Sequence, residues 1–93
     1  MPLKSQIDKQ THEVTRSRII LAINQTLNIL ATIESSDDFV SQLKFDETDR
    51  IEVLMALEDE FEIQLPDVLI FECNSVDDYV KYLLVNNPEV FVK

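Results

Sequence analysis

The chain has 93 residues, 45% of them hydrophobic, which favours one domain with one small core and argues against wholesale disorder. Its net charge of −10 is divided unevenly, with +2 on residues 1–30 and −12 on residues 31–93. The acidic part would repel nucleic acid and anionic membranes but attract a basic protein surface, although acidity also serves solubility alone.

The first predicted helix runs from Thr15 to about Ala31, after a polar segment, residues 1–13, that is expected to be a flexible leader or a first helical turn. Thr15 or Ser17 can cap it, because a side-chain oxygen accepts from unpaired amides of the first turn. His12 has no partner at a metal-ligand or catalytic spacing and is expected at the surface. One apolar stripe recurs at three- and four-residue spacing: Ile19, Ile20, Ile23, Leu27 and Leu30.

A polar loop, Thr32–Asp38, is predicted next, and a short apolar anchor that returns to the core follows it: Phe39, Val40 and Leu43. The second predicted helix runs from about Glu47 to Phe61. Asp46 is its expected N-cap, with Asp49 at the third helical position as in a capping box. A period of about 3.6 residues assigns its inner face to Ile51, Leu54, Met55, Leu57 (or Glu58) and Phe61.

Two shorter elements complete the chain. An extended exit, Glu62–Leu65, leads to Pro66 and a short predicted helix, Asp67–Phe71. Ser75 is expected to cap a last helix, from Val76 to about Asn86, with a flexible tail over residues 86–93. The inward residues of that helix are expected to be Val76, Tyr79, Val80 and Leu83.

No segment alternates with period two for long enough to predict a sheet, and glycine, which tight hairpins usually need, is absent. The predicted fold class is therefore all-α, a small bundle of three to four helices in a single domain, residues 1–93.

The order of residues over Asp46–Asp67 resembles the acyl carrier proteins, small helical bundles that carry a phosphopantetheine arm on a serine. The run Glu52–Phe61 is EVLMALEDEF, and it is followed by Ile63 and then Leu65-Pro66-Asp67. Residues 39–43 match the segment before the attachment loop, and residues 75–78 match the start of the last helix. The resemblance covers roughly Thr15–Leu84 and implies the carrier fold.

The resemblance also identifies departures. Glu47 stands where the family has its attachment serine, Thr48 where it has leucine, and Lys44 where the loop usually has glycine. A carboxylate has no hydroxyl nucleophile and would repel the incoming pyrophosphate, so Glu47 is expected to stay unmodified and no cofactor is expected.

Three alternatives remain open at this position. Thr48 carries a hydroxyl, but one helical step turns it by about 100° from the expected direction. A natural serine replaced to block modification is the second, although Thr48 and Lys44 favour natural divergence. The third is Glu47 as a weak mimic of phosphoserine.

In the resembled family, acids of the second helix dock on basic surfaces of partner enzymes. Seven acids stand against one base within Asp46–Phe61, and like charges at i,i+4 cost a helix a few tenths of a kcal/mol, which favours a functional explanation. The simpler explanation is a solvated flank with Ile51 and Met55 in the core. The candidate docking residues are Asp46, Asp49, Ile51, Glu52, Met55, Glu58, Asp59 and Glu60.

Neither a metal site nor a catalytic site is expected. Asp46, Glu47, Asp49 and Glu52 suit weak Mg²⁺ or Ca²⁺ binding, but no EF-hand spacing is present. No nucleophile–base pair, phosphate loop or zinc spacing occurs, so the protein is predicted not to be an enzyme. The residues that would line a carrier's acyl pocket are expected to be plain core: Phe39, Phe45, Phe61, Phe71 and Tyr79.

The single cysteine, Cys73, cannot form an internal disulfide and is expected to be a partly buried thiol, in a protein of the reducing cytoplasm. The leading hypothesis is an acyl-carrier-like docking module without the arm, a monomer near fatty-acid or polyketide metabolism that binds a basic protein surface, without nucleic acid or membrane insertion. The alternative is a genuine acyl carrier protein with an altered attachment site.

Overall fold

Helices are the regular elements of the described chain, as the residue pattern predicts. A computed structural model describes the backbone of residues 4–29 and 32–88 and the side chains of residues 12–29 and 32–88. Within those ranges it has no strand, so the predicted all-α class is confirmed. The helices are α1 (Lys4–Leu27), α2 (Glu47–Phe61), α3 (Leu69–Glu72) and α4 (Val76–Asn86). Among these described helices, none combines the length and the apolarity needed to cross a membrane.

The start of α1 differs from the prediction. The helix begins at Lys4 rather than near Thr15, so Thr15 and Ser17 lie inside it and are not its caps. Residues 4–14 contain few apolar residues in the sequence, so a search for an apolar stripe does not detect this part of the helix. The mobility expected of residues 1–13 and of the tail stays a prediction, and residues 1–3 and 89–93 lie outside the described part.

The end of α1 is set by Asn28, which has a left-handed φ of 57°. The amide of Ile29 donates to the carbonyl of Asn24 at 3.1 Å, which is the pattern of a Schellman cap. Asn tolerates this conformation better than most residues, so the helix stops at Leu27 and not near Ala31 as predicted. Leu30, the last residue of the expected stripe, lies outside the described residues.

The predicted starts of α2 and α4 are confirmed, because both depend on local capping. The Asp49 amide donates to the Asp46 carboxylate at 2.8 Å, and the Asp46 amide donates to the Asp49 carboxylate at 3.1 Å. This reciprocal pair is a complete capping box. At α4, the Asp78 amide donates to Ser75 Oγ at 3.2 Å. Each cap satisfies an amide that the helix itself cannot pair.

The core lies where α1 faces α2 and α4, while α3 packs on α2. Phe39 enters this core from the loop between α1 and α2, and its ring stacks on Phe45 with centroids 5.4 Å apart and meets Tyr79 at 6.3 Å. The inward residues predicted for α4 are all buried. The fully buried side chains are Ile19, Ile23, Phe39, Val53, Leu57, Val76, Tyr79 and Leu83.

The burial of several residues differs from the prediction. The face of α2 that is buried centres on Val53, Leu54 and Leu57, so Val53 is inside although the expected stripe omitted it. Nearly every residue from position 51 to 57 is apolar, and periodicity alone cannot choose among several faces. Ile33, assigned to a polar loop, is buried. The residues predicted inside but found exposed are Val40, Ile51, Met55 and Phe71.

The loop before α2 is held at both ends by backbone hydrogen bonds. The Phe39 amide donates to the Asn74 carbonyl at 2.8 Å, and the Phe45 amide donates to the Phe39 carbonyl at 2.8 Å. Asp38 Oδ2 accepts from the Ser41 amide and hydroxyl at 2.8 and 3.0 Å, and these bonds hold the pKa of its carboxyl below the usual value. These hydrogen bonds hold the loop in one conformation and thereby position the start of α2 relative to the rest of the domain.

Candidate functional site

The candidate site is the start of α2 and the exposed face of that helix. Glu47 is the first helical residue after the Asp46 cap, and its side chain is exposed. Thr48, the next residue, is exposed as well. The carboxylate of Glu47 is thus presented to solvent at the helix N-terminus, where the partial positive charge of the helix dipole favours an anion. Both residues are accessible to a modifying enzyme.

The residue three positions before Glu47 has a backbone conformation suited to glycine. Lys44 has a φ of 61°, in the left-handed region where a Cβ crowds the following carbonyl. This observation explains in physical terms why the resembled loop usually has glycine there. The chain turns into α2 through this residue, although a lysine at this position carries a conformational cost.

Replacing Lys44 with glycine is expected to stabilise the domain by about 1 kcal/mol, because glycine adopts positive φ without the steric penalty. Urea unfolding followed by circular dichroism measures the change. Lys44→Ala is the matched control, since it removes the same charge but keeps the Cβ. Equal stability of the two variants would contradict the assignment of strain to this residue.

The structure divides the eight predicted docking residues into two groups. Asp46 and Asp49 are engaged in the capping box, and Glu58 is half-buried, with its carboxylate accepting from the Leu65 amide at 2.8 Å. Glu60 accepts from Arg18 Nε at 2.8 Å. These four carboxylates thus have partners within the domain, and for Glu58 and Glu60 the structure supplies a reason that the sequence did not.

The other four predicted docking residues are exposed and share one face: Ile51, Glu52, Met55 and Asp59. Spacings of three, four and seven residues place side chains on the same side of a helix. The alternative explanation, which placed Ile51 and Met55 in the core, is contradicted, because both side chains are exposed beside the two carboxylates. This face has the composition of a surface for protein contact, with apolar residues beside charged ones.

One cation of α2 is turned inward. Arg50 is half-buried, and its Nη2 donates to the Cys73 carbonyl at 3.2 Å and to Asn74 Oδ1 at 2.6 Å. The guanidinium therefore joins α2 to the segment between α3 and α4. It also leaves the exposed face of α2 without its only basic residue, so that face is more acidic than the sequence alone indicates.

The cysteine is a structural residue. Cys73 is buried and free, and burial, with the neighbouring carboxylates of Asp78 and Glu72, raises the pKa of its thiol to about 11. A thiol with that pKa is protonated at neutral pH and is a poor nucleophile. The prediction of a free thiol is confirmed, and the side chain is buried more completely than the partial burial predicted.

An open pocket of about 340 Å³ lies beside the start of α2, at the end of α1. It is an indentation of the surface, and it mixes aliphatic, aromatic and charged side chains. Within the part of the chain whose side chains are described, no three His, Cys, Asp or Glu residues are grouped to hold a metal ion. The pocket is lined by Leu27, Ile29, Gln42, Leu43, Lys44, Phe45 and Asp49.

Comparison with known proteins gives the same assignment as the residue pattern. Residues 17–83 match the profile of the family described as "Phosphopantetheine attachment site". The chain is 38% identical over 68 residues to the acyl carrier protein of Clostridium acetobutylicum, a match that covers 72% of this chain and 88% of the relative. It is 31% identical over 74 residues to the acyl carrier protein of Rickettsia massiliae, covering 78% and 86%.

Relatives named as mitochondrial also match. The mitochondrial acyl carrier protein of Saccharomyces cerevisiae is 39% identical over 57 residues, covering 61% of this chain and 45% of the relative. The chain spans about half of the length of the mitochondrial relatives from Schizosaccharomyces pombe, Saccharomyces cerevisiae and Neurospora crassa, between 43% and 50%. With the matched profile spanning most of its residues, the chain belongs to the phosphopantetheine attachment-site family, the family of the acyl carrier proteins.

Proposed function

We propose that this protein is an acyl-carrier-like docking module that does not carry phosphopantetheine and that acts near fatty-acid or polyketide metabolism. Members of the family are carriers and not catalysts. The observation that supports the proposal is the exposed Glu47 at the first position of α2, where the resembled motif has its serine. In an acyl carrier protein the serine hydroxyl attacks a phosphorus atom of coenzyme A, and glutamate has no hydroxyl for that attack.

The negative charge at the start of α2 also disfavours attachment of phosphopantetheine. Glu47 lies beside Asp46, and Asp49 follows within the first turn. A pyrophosphate approaching this turn meets several carboxylates, and their repulsion is weakly screened at such short range. A helix start that presents this charge is better suited to contact with a basic protein surface than to phosphoryl transfer.

The test is the intact mass of the purified protein after incubation with coenzyme A and a broad-specificity phosphopantetheinyl transferase. The wild-type protein is expected to keep its mass, and Glu47→Ser is expected to gain about 340 Da, the mass of the arm. Glu47→Ala is the matched control, because it removes the carboxylate without adding a hydroxyl. A mass gain by the wild-type protein would overturn the proposal.

The second candidate is a working carrier with an altered attachment site, and the exposed hydroxyl of Thr48 is the observation that favours it. A mass gain by wild type that Thr48→Val abolishes would establish this candidate. Peptide mapping of the modified protein identifies the residue directly. If Glu47→Ser gains no mass while a standard carrier does so under the same conditions, the contacts with the transferase have been lost too, which supports long divergence into a binding role.

We further propose that the protein works in a reducing compartment. Its cysteine is a free thiol, and its relatives have bacterial and mitochondrial names. The compartment that we propose is therefore either the cytoplasm or the mitochondrion. Localisation of the tagged protein in its own cell distinguishes the two.

A further inference from the structure

Two large apolar side chains are exposed on the outer face of α1. Val14 is 58% exposed and Leu21 is 56% exposed, while Ile19 and Ile23 of the same helix are fully buried. Because each residue turns an α-helix by about 100°, Leu21 and Ile19 point in directions about 160° apart. The exposed pair therefore lies on the side of α1 that faces away from the core.

Val14 and Leu21 belong to a longer series along α1. They are seven residues apart, and Ile7, seven residues before Val14, lies in the part of the helix of which only the backbone is described. Gln10 and Ser17 stand between them, at spacings of three and four residues. This seven-residue repeat is the one by which two helices pair in a coiled coil. We call the five positions the α1 stripe (Ile7, Gln10, Val14, Ser17 and Leu21).

The α1 stripe contains no charged residue, although 28% of the chain is charged. Asn24, the next position of the repeat, is half-buried and ends the stripe. Removing an ion from water is costly, so a face without ions can be covered by another helix at little electrostatic cost. The charged residues of α1 all stand at other positions: Lys4, Asp8, Lys9, Glu13, Arg16 and Arg18.

The charges that flank the α1 stripe are complementary to those of a second copy. In two parallel helices in register, the residue before an apolar position faces the residue five positions further along the other helix. Glu13, which is exposed, then faces Arg18 of the second copy, and twofold symmetry forms this pair twice. Arg18 uses Nε and Nη2 for Glu60, so among the described contacts its Nη1 remains for Glu13.

The parallel arrangement also matches the apolar positions. Val14 then meets Val14 and Leu21 meets Leu21, whereas an antiparallel pair sets these side chains against the polar positions of the other helix. The acidic residues 31–93 of the two copies lie on opposite sides of the helix pair. Each helix is about 10 Å across, which exceeds the Debye length of about 8 Å at physiological salt, so most of that repulsion is screened.

We propose that the α1 stripe is a dimer interface, at which two copies of the chain pair α1 against α1, parallel and in register. This dimer replaces the monomer that was expected from the sequence. The interface spans only two turns of the seven-residue repeat beyond its first position, so the dimer is expected to dissociate on dilution. The face of α1 that it uses is separate from the start of α2, and dimerisation does not depend on whether phosphopantetheine is attached.

Sedimentation equilibrium of the whole protein, over about a hundredfold range of concentration, tests the proposal. A reversible equilibrium of monomer and dimer is expected. Val14→Lys sets two ammonium groups against each other and is expected to weaken dimerisation about tenfold or more. Val85→Lys, at a site 78% exposed on α4, is the matched control and is expected to dimerise like the wild type. A monomer at every concentration, or equal losses in the two variants, would overturn the proposal.

A pair of charge reversals tests the flanking contact. Glu13→Lys sets a lysine against Arg18 of the second copy and is expected to weaken dimerisation several-fold. Glu34→Lys, at an exposed site in the loop after α1, changes the net charge equally and is expected not to weaken it, because the repulsion between the copies falls. If both reversals strengthened the dimer, general repulsion would control association and the proposed register would be wrong.

Cross-linking tests the register and the occupant of the stripe. Ser17→Cys is expected to form a disulfide between the two copies, because residue 17 faces its counterpart in the parallel pair, whereas Val85→Cys is not. The natural Cys73 is buried and is expected not to react. A dimer without the Ser17→Cys cross-link would contradict the parallel register. Binding of the monomer to phosphatidylcholine vesicles that Val14→Lys abolishes would assign the stripe to a lipid surface and overturn the proposal.

Discussion

Phe39→Ala is expected to destabilise the domain by about 3–5 kcal/mol, the usual cost of truncating a buried phenylalanine. Native domains have only about 5–15 kcal/mol of stability in total, and small domains lie at the lower end. The variant is therefore expected to be partly unfolded at 37 °C. Urea unfolding at 25 °C, followed by circular dichroism at 222 nm, measures the loss.

The reason lies in the position of the ring. Phe39 is 1% exposed, stacks on Phe45 and contacts Tyr79 from α4, so one side chain from a loop links the elements on both sides of it. Its removal leaves a cavity and also loosens the loop that leads into α2. Val40→Ala is the matched control, because the neighbouring side chain is exposed and its loss is expected to cost less than about 0.5 kcal/mol. Similar losses in the two variants would contradict this account.

Arg50→Met is expected to destabilise the domain by about 2 kcal/mol, because hydrogen bonds to a charged group contribute more than neutral ones and their loss leaves a partner unsatisfied. Methionine keeps most of the aliphatic stem, so the change isolates the guanidinium. That group holds the Cys73 carbonyl and the Asn74 side chain, and so ties the segment after α3 to α2. Urea unfolding gives the free energy, and amide exchange of residues 69–75 is expected to accelerate.

Arg16→Met is the control for this experiment. Arg16 pairs with Asp77 at 3.4 Å across α1 and α4, and both side chains are about one third exposed. Exposed ion pairs contribute little, so the expected cost is less than about 1 kcal/mol and falls further with added salt. If the Arg50 and Arg16 variants lost equal stability, the inward guanidinium would have no special structural role. The comparison separates a hydrogen-bonded interior cation from a surface one.

The prediction from sequence was correct where a structure depends on neighbours along the chain. The capping box of Asp46 and Asp49 predicted the start of α2, and Ser75 predicted the start of α4. Each of these signals involves residues three positions apart, so it does not depend on how the domain packs. The start of α1 was missed because the predicted apolar stripe began only at Ile19, and no capping signal was recognised before Thr15.

The location of the candidate site on α2 stays a prediction from the sequence. The resemblance pointed to α2, and the eight residues named there include all of its exposed docking candidates other than Glu47. The sequence predicted the capping partners of Asp46 and Asp49, but it could not show that Glu58 and Glu60 also have partners within the domain. For Glu60, the partner is Arg18, forty-two positions away, and no local pattern predicts such a pair.

The sequence by itself therefore determined that the chain is helical, where α2 and α4 begin, and that Glu47 stands at the head of α2. Tertiary packing alone decided which of several apolar faces of α2 is buried, because Val53 and Leu54 lie in the core while Ile51 and Met55 are exposed. It also decided that Phe71 is exposed, although it follows two apolar residues that are buried. Periodicity restricts a helix to a few possible faces, and the face that is buried is the one that the neighbouring helices can cover.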